Sequence, residues 1–201
     1  MHAPLYNKEV FIVKKEKKLK CLADSKGTYN MCQCIFDYDR DISYYYYIVD
    51  YSEKLFIGAC EEDFLINGFR IHKVSYLDKI KIRNDITTAI NEKNRILDGI
   101  DNPDIELSSW KETLQSLKGL KHFVIIQNEM EAKGKQFFYL GRINKIKKSK
   151  VIFTHYDVNG SIKDNIEIPF DEITSITFGD RYSKTWEEYI SKSFRFTYDT
   201  D

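Results

Sequence analysis

Three things are missing from this chain of 201 residues: a long apolar run, an excess of one charge and a recognisable catalytic signature. No stretch approaches the roughly 20 apolar residues that a membrane-spanning helix needs. Polar Asn7, Lys8 and Glu9 follow too soon after Met1, His2, Ala3 and Pro4 for a basic-then-apolar leader. A cytoplasmic location is the expectation. Basic and acidic residues balance at 31 each, whereas proteins that live on phosphate backbones show a basic excess. The balance counts against a general nucleic-acid binder and leaves room for a local patch. Cysteine is sparse: Cys21, Cys32, Cys34 and Cys60. Cys32-Gln-Cys34 is too close for a zinc knuckle and has no second pair, so these read as buried free thiols, and no metal is expected. No Gly-x-Ser-x-Gly elbow, phosphate-cradling glycine loop or dinucleotide fingerprint occurs, so no cofactor is expected either.

What is present is enough for a core, with 42% apolar and 14% aromatic residues. One pattern is written twice. Residues 55–82 and 138–178 each run from an aromatic–aliphatic stretch into a glycine (Gly58, Gly141). Each then carries Asn-Gly (Asn67-Gly68, Asn159-Gly160) and closes on an apolar alternation (Ile80 and Ile82; Ile176 and Phe178). Asn-Gly is a strong hairpin signal because both residues tolerate positive φ. Two similar β units follow as the expectation.

In the first unit, Met31–Phe36, Tyr44–Tyr51, Leu55–Cys60, Phe64–Ile66, Phe69–Val74 and Asp78–Ile82 read as strands. Ahead of them, Val10–Val13 suits a strand and Asp24-Ser25-Lys26-Gly27 a turn, so a hairpin across 10–36 is expected, with a short basic helix as the alternative. Residues 83–120 form a helical connector in which Ser109 and Glu112 make a capping-box pair and Gly119 suits the stop. Phe123–Gln127, Gln136–Ile146, Lys150–Val158, Ile162–Ile168 and Ile173–Phe178 then read as five more strands. Ser183 starts a final helix, and the tail from Arg195 to Asp201 is expected to pack loosely.

A short helix followed by five bent strands over 105–178, with Ile168–Phe178 carrying most of the likeness, resembles the Sm-like or SH3-like barrel. Residues 50–190 also resemble a group of uncharacterised bacterial proteins. The likeness is carried by Glu61–Phe64, Asn67–Phe69 and Ile71, then Ser109-Trp110, Gly141–Ile143 and Ile173–Tyr182. The resemblance implies a mainly β fold of two small bent-sheet barrels joined by a helical connector, with units at 1–100 and 101–201. It transfers no activity. In Sm-like proteins RNA is bound by loop residues, and only Gly179-Asp180-Arg181 distantly echoes them here.

Two candidate surfaces stand out. Arg142, Lys145, Lys147, Lys148 and Lys150 fall at a strand–turn–strand corner beside Phe137, Phe138 and Tyr139. The corner suits either a single-stranded nucleic acid or the protection of a sheet edge. Tyr44, Tyr45, Tyr46 and Tyr47 alternate across a strand, where the outward pair makes either a partner surface or a shield. His155 and Asp157 share a strand face at i, i+2, a spacing that lets a carboxylate orient a base. With no assembled catalytic set, the expected function is a non-enzymatic accessory protein that binds another protein, the alternative being RNA binding through the basic corner.

Overall fold

The computed structural model describes residues 6–98, 100–130 and 134–191, and the side chains of 14–190 within them. His2 and the tail from Arg195 lie outside the described residues. The elements are α1 (Tyr6–Ser25), β1 (Met31–Phe36), β2 (Asp39–Tyr51), β3 (Leu55–Glu62), β4 (Leu65–Lys73), a 3-10 turn at Val74–Tyr76 and β5 (Leu77–Ile82). They continue as α2 (Ile86–Lys93), α3 (Trp110–Leu120), β6 (Val124–Asn128), β7 (Phe137–Ile146), β8 (Lys150–Tyr156), β9 (Ile162–Pro169), β10 (Ser175–Phe178) and α4 (Arg181–Ser191).

The fold is mainly β. All ten strands lie in one antiparallel sheet of order β5-β1-β2-β3-β4-β10-β6-β7-β8-β9, which is not closed. Each half has the same internal order, its fifth strand returning beside its first, and each is preceded by a helix. Where two small barrels joined by a connector were expected, the strands of both halves form one continuous sheet. The fourth strand of the first half pairs with the fifth of the second, Phe69 opposite Phe178 through His72 opposite Ser175. Ile71 and Ile176 meet there at 0% exposure. They join a core that runs through both halves and includes Leu55, Ile57, Trp110, Leu114, Leu117, Ile126 and Phe153. Burying each such side chain contributes about 1.5–3 kcal/mol, which is why the halves share one sheet. Between them, α2 and α3 flank a largely non-helical stretch containing Pro103, so the connector is only partly helical.

Residues 10–25 are helical, not the first arm of a hairpin. Lysine, glutamate and leucine are good helix formers. Leu19 and Leu22, three residues apart, bring one face of α1 onto the cluster of Cys34, Phe36, Tyr46 and Phe56. α3 passes through Gly119 and stops at Lys121, whose φ of 60° is left-handed. α4 is capped by Asp180, not Ser183: the Ser183 N–H donates to Asp180 Oδ2 at 3.0 Å.

The two Asn-Gly pairs do different work. Asn159-Gly160 forms the β8–β9 turn, where Asp157 Oδ1 accepts from the N–H groups of Asn159 and Ser161 at 2.9 Å each. Asn67-Gly68 lies inside β4, and the β3–β4 turn is made by Asp63 and Phe64 at positive φ. Gly68 has φ +74°, and a Cβ there would meet Asp180 N at 2.4 Å and Phe178 O at 2.7 Å. Asn67 Oδ1 accepts from the Arg181 N–H at 2.8 Å. The first Asn-Gly therefore latches the halves together. The sequence repeat is not the structural one either, since Gly58 sits in the third strand of its half and Gly141 in the second.

A matched pair of substitutions checks this. Gly160 has φ +72° but nothing within 4 Å of its missing Cβ. Gly160→Ala should cost only the backbone conformation, about 1 kcal/mol. Gly68→Ala adds a clash with backbone and should cost about 3 kcal/mol or more. Equal shifts of the two in urea unfolding would contradict the latch.

Candidate binding groove

Seven chain segments converge at the junction of the halves around a groove of about 1180 Å³. Its apolar floor is Leu55, Val74 and Trp110, each at least 95% buried, with half-buried Phe170 beside them. Trp110 opens α3 because Ser109 before it is extended (φ −163°) and serves as N-cap. The capping box takes an unusual form: the Ser109 hydroxyl donates to the Glu112 carboxylate. That bond is the main cause holding the Glu112 carboxyl below its usual range. The Trp110 ring is 5% exposed, and its Nε1–H has no acceptor among the described residues. A buried donor left unmet costs about 1–3 kcal/mol.

The walls are charged. Eight cationic side chains line the groove against five carboxylates, in a chain whose formal net charge is zero. Lys14, Lys15 and Lys18 come from one face of α1, Lys54 from the β2–β3 turn and Lys148 from the β7–β8 turn. Lys15 pairs with Glu53 at 3.0 Å, and Arg40 lies 3.7 Å from Asp37 and 3.9 Å from Asp78. Lys73 bridges the halves, donating to the Phe170 and Asp171 carbonyls at 3.4 Å each. Lys14, Lys18, Lys54 and Lys148 make no ion pair among the described residues.

The basic corner does not converge. Arg142 reaches Glu187 of α4 at 3.2 Å and lies 5.0 Å over the Phe123 ring. Lys147 (2.9 Å) and Lys150 both hold Glu167. Only Lys148 joins the groove, while Lys145 in β7 is exposed and makes no ion pair among the described residues.

The tyrosine run is split between the two faces of β2. Tyr46 packs with Phe36 and Phe56, and Tyr47 with Met31 and Ala59, each 2% exposed; Tyr44 and Tyr45 are half-buried. Tyr46 and Tyr47 are core residues and present no partner surface. Sequence reasoning missed the hub that Tyr46 serves. His72 in β4 shares hydrogen bonds with the hydroxyls of Tyr46 (Nε2, 2.9 Å) and Tyr38 (Nδ1, 3.2 Å), one nitrogen donating and the other accepting. Phe36 stacks on its ring at 4.2 Å between centroids. Burial, then the nearby Arg70 charge, drives the His72 pKa well below its ordinary value. The readable signal was His72 alternating with Ile71 in a strand buried on both faces.

His155 and Asp157 do not meet. The His155 Nδ1–H donates to the Leu140 carbonyl at 3.2 Å, and Asp157 serves the turn described above. Cys32 and Cys34 are buried free thiols, and Cys21 and Cys60 are half-buried. Among the described residues, no helix is long and apolar enough to cross a membrane, and no group of three His, Cys, Asp or Glu could hold a metal.

No family model, curated protein or solved structure matches the chain.

A pH dependence follows from His72. A histidine whose pKa is depressed by folding binds its proton more readily in the unfolded chain, so stability is full above the ordinary value of 6.5 and falls as pH drops below it. Melting temperature should decline between about pH 7 and pH 5, above the carboxylate range. His72→Gln should lower the melting temperature at pH 7 and flatten that decline. An equally steep slope in the variant would show that another group is responsible.

Proposed function

We propose that this chain is a non-enzymatic binding protein whose partner is another protein, received in the groove at the junction of its halves. The observation that carries this is the groove itself. It pairs an apolar floor with cationic walls, it lies where two substructures meet, and it exceeds the usual volume of a small-molecule pocket. The repeated five-strand order, each half led by a helix, supports reading the halves as tandem Sm-like or SH3-like units. The buried free thiols of Cys32 and Cys34 support a reducing, cytoplasmic setting.

RNA is the second reading. Lys145 in β7 and Lys148 in the β7–β8 turn favour it, as exposed cations without an ion pair among the described residues. The groove's aromatic floor favours protein instead, because a ring as covered as Trp110 offers no face on which a base could stack.

Photocrosslinking in the native host separates the two. A photoreactive residue is placed at Lys54, at Lys148 or at Val158, which is 83% exposed beyond the far end of β8. One protein captured from both groove positions and not from Val158 is the expected result. RNA captured from Lys148 would move the conclusion to the second reading, and indiscriminate capture would end both.

A further inference from the structure

We infer that the groove takes an acidic peptide segment of its partner, with carboxylates on the cationic walls. This rests on the groove being the partner site and goes beyond it by naming what is recognised. Four of the five groove carboxylates already have a cation within 4 Å: Glu53 has Lys15, Asp37 and Asp78 share Arg40, and Glu112 has Lys111. Lys14, Lys18, Lys54 and Lys148 make no ion pair among the described residues, and they reach the groove from three separate segments. A single small anion would engage one wall; a segment bearing several carboxylates engages all of them.

The floor supplies a second, independent observation. Trp110 is 95% buried and lines the groove beneath the cationic walls. Beside it lie Leu55 and Val74, each 2% exposed, and half-buried Phe170, so the floor is apolar. Lysines suit carboxylates spaced along a flexible chain, since the ammonium is a point charge on a mobile stem.

The test uses the full chain carrying Trp186→Phe, which leaves Trp110 as its sole tryptophan. The probes are a synthetic peptide of about eight residues alternating Glu with Leu, its Lys–Leu counterpart, oligouridylate and inorganic polyphosphate. Binding is followed by Trp110 emission and calorimetry at about 50 and 300 mM salt. The acidic peptide alone should shift the emission, and its affinity should fall about tenfold at the higher salt. Lys14→Gln, Lys18→Gln and Lys148→Gln combined should weaken it by about tenfold or more with unchanged melting temperature. Acidic peptide binding no tighter than the Lys–Leu peptide, insensitivity to the lysine substitutions, or tighter binding of oligouridylate or polyphosphate would each overturn the inference. Should crosslinking return a protein from the groove while the acidic peptide fails, only the ligand class falls.

Discussion

The short ladder between Phe69–His72 and Ser175–Phe178 is the constraint on which the rest of the molecule depends. Two open five-strand arrays of identical internal order would leave β4 and β10 as unpaired edges, and pairing these with each other leaves only β5 and β9 at the edges of one sheet. The four residue pairs are supported from both faces. On one, Ile71 and Ile176 disappear into the shared core; on the other, His72 sits under Phe36 between Tyr38 and Tyr46. Gly68 lets the backbone at Asp180 come close, and Asn67 ties down the start of α4. Beyond His72 the chain continues directly into Lys73, which reaches the β9–β10 turn and closes one side of the groove. The recognition surface is thus a consequence of how the halves are joined.

Charge follows the same logic. A balanced composition allows local pairing: Arg142 holds Glu187, two lysines hold Glu167, and Asp180 and Asp157 serve a helix cap and a turn. Exposed pairs of this kind add little stability, but they quench the field of the cations they touch. Lys14, Lys18, Lys54 and Lys148, without an ion pair among the described residues, line one groove from α1, the β2–β3 turn and the β7–β8 turn. The apolar floor beneath them turns a weakly screened charge cluster into a surface with shape.

Much of the strand content was legible. Met31–Phe36 matches β1 to the residue, and the five strands after α3 lie within a few residues of their expected bounds, because β-branched and aromatic runs bounded by turn residues leave little choice. α1 was ambiguous: Val10–Val13 reads as a strand by composition, and the helix formers after it decide the matter. Asn67-Gly68 misled because the same dipeptide that makes a tight turn also makes a bulge that another backbone can approach. The repeat was sensed but aligned on the wrong strands, since its markers serve different purposes in each half. Of the named site residues, Lys148 reaches the groove, Tyr46 and Tyr47 belong to the core, and Arg142, Lys147 and Lys150 are spent on local ion pairs. The groove and the His72 hub were not legible, because each is assembled from segments far apart in sequence. Pairwise spacing cannot show which strand edges meet.

Native-state hydrogen exchange, followed by mass spectrometry of peptides covering residues 69–72 and 175–178, tests the joined-sheet account most directly. If the ladder holds the fold together, both peptides exchange only through global unfolding, at the same free energy as the β3 peptide beside them. Exchange of these two segments well below the global value, with β3 and β7 still protected, would show two independent halves that merely touch.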